Sequence, residues 1–85
     1  MTPKQLLKFK NELYNKTSRA KPVGKKLIDY KGDQIYVPWF QVKVDGHDFI
    51  YTDTTFEHDL RGFLENLNIS IVDFTNAERM VRNAE

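Results

Sequence analysis

The dipeptide Asp45-Gly46, inside "VPWFQVKVDGHDFIYTD" at residues 37–53, constrains the fold more than any other feature of the chain. A two-residue type I′ turn needs φ > 0 at both central positions, and Asp-Gly meets that need with little strain. With the turn placed there, Val44 faces His47, Val42 faces Phe49 and Phe40 faces Tyr51 on one side of a sheet. Lys43 with Asp48, Gln41 with Ile50, and Trp39 with Thr52 share the other side. The first side is apolar enough to be a core. Trp39 points away from it.

Upstream, "KLIDYKGDQIYV" reads as two strands joined at Gly32-Asp33, so residues 25–53 form a three-stranded antiparallel meander. Pro38 cannot donate to a ladder and belongs at an edge or a bulge. A bulge there is expected, because it would bring Ile35 and Val37 into line with Phe40, Val42 and Val44.

Helices flank the meander. Thr2 as N-cap and Pro3 in the first turn start a helix to about Lys16, with Leu6, Leu7, Phe9, Leu13 and Tyr14 on one side. Lys10 falls in the middle of that stripe, its head expected to snorkel out. Thr54 with Glu57 makes a capping-box pattern ahead of the stripe Phe56, Leu60, Phe63, Leu64 and Leu67, which Asn68 can end. "ISIVDF", residues 69–74, reads as a short buried strand. Thr75 with Glu78 repeats the capping box before a last helix edged by Ala77, Met80, Val81 and Ala84. The expectation is an α+β fold in one compact domain of 85 residues, ordered α-β-β-β-α-β-α, with a fourth short strand beside the meander.

Some functions are excluded by composition. Without cysteine there is no disulfide, thiolate metal site or cysteine nucleophile. No apolar run has the length of a signal peptide or a membrane span, so a cytoplasmic protein with no membrane partner is expected. Ser18 and Ser70 lack a nucleophile elbow, and no Gly-rich phosphate loop exists. "DTTFEHD" at 53–59 gathers Asp53, Glu57, His58 and Asp59 near a helix start, with His47 and Asp48 a strand away. Carboxylates in a first turn answer the helix dipole, however, and His58 lies on the polar side. The reading is a non-enzymatic chain with no metal site and no cofactor.

Charge is the remaining clue. The net charge of +1 conceals nine cations against two carboxylates in residues 1–31, and four against ten in the rest. Lys16, Arg19, Lys21, Lys25 and Lys26 crowd a segment that Ser18, Pro22 and Gly24 keep out of regular structure, and flexible cations of that kind meet phosphates. The order α-β-β-β-α over residues 3–67 coarsely resembles that of a double-stranded-RNA-binding domain. That module puts lysines at the start of its second helix, where this chain has Glu57 and Asp59. The expected function is weak, largely non-specific nucleic-acid binding through the basic loop, with Trp39 stacking a base if its face is open. The alternative is a protein-interaction module, an adaptor or inhibitor of the kind mobile elements carry. It would use the acidic portion (Asp45, Asp48, Asp53, Glu57, Asp59, Glu65) and the Trp39 face.

Overall fold

The computed structural model describes the backbone of residues 1–84 and the side chains of residues 1–83, so the Ala84 expected on the last apolar edge lies outside the described side chains. In chain order the elements are α1 (Pro3–Arg19), β1 (Gly24–Tyr30), β2 (Asp33–Val44), β3 (His47–Thr52), α2 (Phe56–Asn66), α3 (Ile71–Thr75) and α4 (Ala77–Ala84). The three strands make one antiparallel sheet in the order β1-β2-β3.

Both hairpins close on two-residue turns with positive φ at each centre: Lys31 and Gly32 (53° and 86°), Asp45 and Gly46 (50° and 80°). The second pairs Val44 with His47, Val42 with Phe49, Phe40 with Tyr51 and Trp39 with Thr52, as its sequence requires. The first turn lies one residue earlier than expected, at Lys31-Gly32 instead of Gly32-Asp33. Asp33 already pairs with Tyr30. Glycine occupies the second position of both turns, while the first holds Asp45, a residue that visits the left-handed region readily, in one turn and Lys31, which does not, in the other.

β2 is twelve residues long and serves two partners in succession. Residues 33–39 pair with β1, residues 39–44 with β3, and Trp39 alone has a neighbour on both sides. The expected bulge at Pro38 is absent, for the register runs unbroken from Gly24↔Trp39 to Tyr30↔Asp33. Counting from either turn, the Pro38 nitrogen faces the β3 side, one residue past the end of β3 at Thr52. The missing N–H ends that ladder without kinking the strand. Val37, 9% exposed, is therefore buried on the face opposite Phe40 and stands outside the main core.

The core occupies a single side of the sheet. Phe40, Val44, Phe49 and Tyr51 meet Leu6, Phe9 and Leu13 of α1, Leu60 and Leu64 of α2, Phe74 of α3 and Ala77 of α4. β1 touches only β2 among the described elements. The β1–β2 hairpin consequently projects beyond the helical layer as a two-stranded arm, and the molecule measures 47 × 24 × 19 Å.

Local capping explains the helix ends. Gln5 N–H donates to Thr2 Oγ1 (3.2 Å) while Thr2 N–H donates to Gln5 Oε1 (2.9 Å), a reciprocal capping box at the start of α1. Thr55, not Thr54, precedes α2. Its hydroxyl and Thr52 N–H both donate to Asp59 Oδ2 (2.6 and 3.3 Å), no side chain caps the α2 backbone, and the expected Thr54–Glu57 capping box is not formed. At the other end Asn68 adopts φ 58°, Asn68 N–H donates to Glu65 O and Ile69 N–H to Leu64 O, which is a Schellman closure. The expected strand at 69–74 is instead α3. Ser70 Oγ accepts from Asp73 N–H (3.3 Å), and Ile69 is held by the closure of α2, so the segment continues as a helical turn and never reaches a strand partner. The Thr75–Glu78 capping box is absent as well: the Thr75 hydroxyl donates to Ile71 O (2.8 Å) and Glu78 bonds Lys10 (3.0 Å).

Gly46→Val tests the turn that sets this register. A Cβ at Gly46 would meet nothing within 4 Å, so the cost arises from φ 80° alone. The expected loss is roughly 1–2 kcal/mol, seen as a lower urea midpoint, with Gly46→Asn losing clearly less.

Candidate nucleic-acid interface

The end of α1 is pinned to the core. Tyr51 Oη donates to Thr17 O (3.2 Å), Ala20 N–H donates to Thr17 O (3.4 Å), and Val23 N–H donates to Trp39 O (2.9 Å) to begin the pairing of β1. Lys16 and Arg19 therefore lie on α1 itself, and only Ala20 to Val23 form the loop. The basic segment is shorter than expected because the helix continues for three residues past Lys16, with Thr17 and Ser18 hydroxyls donating to Tyr14 O and Asn15 O.

The five cations separate by role. Lys16 Nζ donates to the carbonyl of Lys43 and lies 3.2 Å from Glu12 Oε1. Glu12 Oε2 in turn accepts from Asp45 N–H (3.0 Å), so this pair clasps α1 to the β2–β3 turn. Arg19, Lys21, Lys25 and Lys26 are exposed and have no hydrogen-bond or ion-pair partner among the described residues. Lys25 and Lys26, adjacent on a strand, face opposite ways. Lys25 sits opposite Pro38, on the side of Leu27 and Tyr36. Lys26 sits opposite Val37, on the side of Ile28, Ile35 and Trp39.

Trp39 is half-buried against its own sheet. Its Nε1 would lie 3.2 Å from a Cβ at Gly24, so the indole rests across that glycine. Its face is not covered by α1, which packs with α2 on the opposite side. The structure adds Lys31, an exposed cation of the basic block that is not among the expected site residues. At the arm's tip its Nζ lies 5.2 Å from the centre of the Tyr30 ring.

The acidic portion forms no single cluster, although Asp48 and Asp59 line one shallow pocket with His58. Asp45 and Asp48 stand at the β2–β3 turn, Asp48 3.9 Å from Lys43, while Asp53, Glu57 and Asp59 stand at the far end of β3. Asp59 accepts from Thr52 N–H and the Thr55 hydroxyl, and Glu65 lies near the end of α2. Among the described residues no three His, Asp or Glu side chains are grouped as metal ligands would be. Ser18 and Ser70 hydroxyls serve helix ends. No helix among the described residues is long and apolar enough to cross a membrane. Comparison with protein-family models, with curated proteins and with solved structures finds no match to this chain.

The Lys16 ammonium beside Glu12, with Asp45 N–H behind it, holds the Glu12 carboxyl below its ordinary value. A depressed folded pKa contributes stability that is present above the unfolded value and lost as pH falls through the folded one. Glu12→Gln should therefore lower the urea midpoint at neutral pH, by less than about 1 kcal/mol for so exposed a pair. The gap from the parent should close as the medium is acidified past the Glu12 titration.

Proposed function

We propose that this chain is a non-enzymatic binding module that holds the phosphate backbone of a nucleic acid with the cations around the root of its arm. One observation carries the reading: among the described residues Arg19, Lys21, Lys25 and Lys26 have no hydrogen-bond or ion-pair partner, and they run from the last residue of α1 into β1, a strand that no helix touches. Four cations without a partner among the described residues, at the root of a projecting hairpin, support phosphate as the ligand. Lys16 belongs to the fold in this reading and is not a contact. Since Lys25 and Lys26 face opposite sides of the ribbon, the nucleic acid runs past the root of the arm and not along one face. Trp39 shares the Lys26 side and offers a stacking surface of the kind worth about 1–3 kcal/mol per base.

Phosphate contacts orient a protein without reading sequence, so binding is weak, largely non-specific and steeply dependent on salt. Fluorescence-anisotropy titrations at low salt with single- and double-stranded probes test this. If all four cations engage a duplex, log K against log salt should fall with a slope of about −3 to −4. Reversal of Arg19, Lys21 and Lys25 to Glu should abolish binding with the unfolding midpoint near that of the parent, and Lys16→Gln should leave the slope unchanged. Absence of binding by the parent at low salt would refute the proposal.

A further inference from the structure

The outer edge of β2 is unpaired where the arm projects. Narrow pairs with β1 fall at Asp33, Ile35, Val37 and Trp39, so the N–H and C=O of Gln34 and Tyr36 point the other way. That is the side of β3, which has ended opposite Trp39, and no strand among the described residues pairs with this half of β2 on that side. Natural proteins blunt such edges with bulges, charges or proline. Here the bulge is absent, the two outward-bonding residues are uncharged, and Pro38 blocks only the inner end. The same stretch exposes large apolar side chains, Tyr36 at 71% and Leu27 at 44%.

We propose that the occupant of this edge is the same edge of a second copy, paired antiparallel about a twofold axis through Ile35. A twofold axis makes like strands antiparallel, and the donors select the register. Gln34 opposite Tyr36 of the second copy satisfies the outward N–H of both residues in both chains. A shift by two residues toward Pro38 would place a residue with no N–H opposite Gln34. The result is a continuous four-stranded sheet, β1-β2-β2-β1, across the two arms.

Side-chain chemistry agrees with that register. Ile28 pairs with Ile35 within the arm, so the axis lines up Ile28, Ile35, and the Ile35 and Ile28 of the second copy in one apolar row. Lys25 and Lys26 lie at the arm's root, and Asp29 and Asp33 lie toward its tip. Antiparallel pairing lays root against tip. It sets Asp33 opposite Val37 of the second copy, whose β1 neighbour is Lys26, and carries Lys31 at the tip toward Asp53 at the end of the other β3. The contact is one short strand pair, well below a standard interface of about 1,200–2,000 Å². Association is accordingly reversible and weak.

The chain has no cysteine, which makes a single introduced one diagnostic. At the axis Ile35 opposes itself in a wide pair with Cα atoms about 4.5 Å apart, inside the span a disulfide bridges. Ile35→Cys should form a disulfide-linked dimer on mild oxidation, and Tyr36→Cys, out of register with its own copy, should do so several-fold less. Sedimentation velocity of the parent at rising concentration should show a monomer–dimer equilibrium. Gln34→Pro removes an outward donor without breaking a bond to β1, and should abolish that equilibrium with the β-sheet circular dichroism unchanged. A parent that stays monomeric to about 1 mM, equal cross-linking at positions 35 and 36, or undiminished association of Gln34→Pro would each overturn the pairing. These readouts need no nucleic acid, so they stand or fall apart from phosphate binding.

Discussion

A run of stacked aromatic rings ties the molecule together. Phe40 stacks on Tyr51 (5.1 Å between centroids), Tyr51 on Phe49 (4.9 Å), Phe49 on Phe63 (4.8 Å) and Phe63 on Phe9 (6.0 Å), with Phe74 edge-on to Phe9 at 6.3 Å. The run begins in β2, crosses β3 and α2, and ends between α1 and α3. Pairs in such geometry are worth about 0.5–1.5 kcal/mol each beyond their buried area. Tyr51 adds a polar anchor, because its hydroxyl holds the last turn of α1, and burial pushes its pKa up. With every helix drawn to the ring-bearing side, the other side of the sheet is left with Trp39, Val37 and the isoleucines. The arm is the other consequence of the same choice.

Several parts of this arrangement were legible in the residues. Asp45-Gly46 determines which aromatic rings face the helices, and a period of two carries that decision from Val44 back to Trp39. The stripes of α1 and α2 identify their buried edges, and Asn68 stops α2 by adopting the left-handed conformation its side chain tolerates. Other parts needed three-dimensional context. A short apolar run such as residues 69–74 fits a strand and a buried helix turn equally well, and only the Ser70 to Asp73 cap separates them. Pro38 signals an interruption but not its kind. A bulge and a ladder that ends one residue earlier remove the same donor.

The candidate site was legible in outline. Clustering of cations between Lys16 and Lys26 is plain in the sequence, and so is the placement of Trp39 on the second face. The division of labour among the cations is not. Lys16 is taken up by a carbonyl 27 positions away, and Lys25 and Lys26 are parted by the pleat once β1 begins at Gly24. Local patterning sees neither event, because both depend on where α1 stops and on what the distant hairpin turn presents to it.

Lys10 offers a consequence of a different sort. Its ammonium, nearly enclosed, donates to Thr75 O and Glu78 Oε2 and lies 5.5 Å from the Phe74 ring centre, joining positions 65 and 68 residues apart. The sheet, by contrast, is assembled from near neighbours joined by two-residue turns. Closing a loop of that length costs more chain entropy than closing a hairpin, and a hairpin forms within microseconds. The apolar stripe of α1 must wait for α3 and α4 before it is fully covered. The contacts that seal the first helix therefore cost more chain entropy to close than those that build the sheet, although that helix comes earliest in sequence.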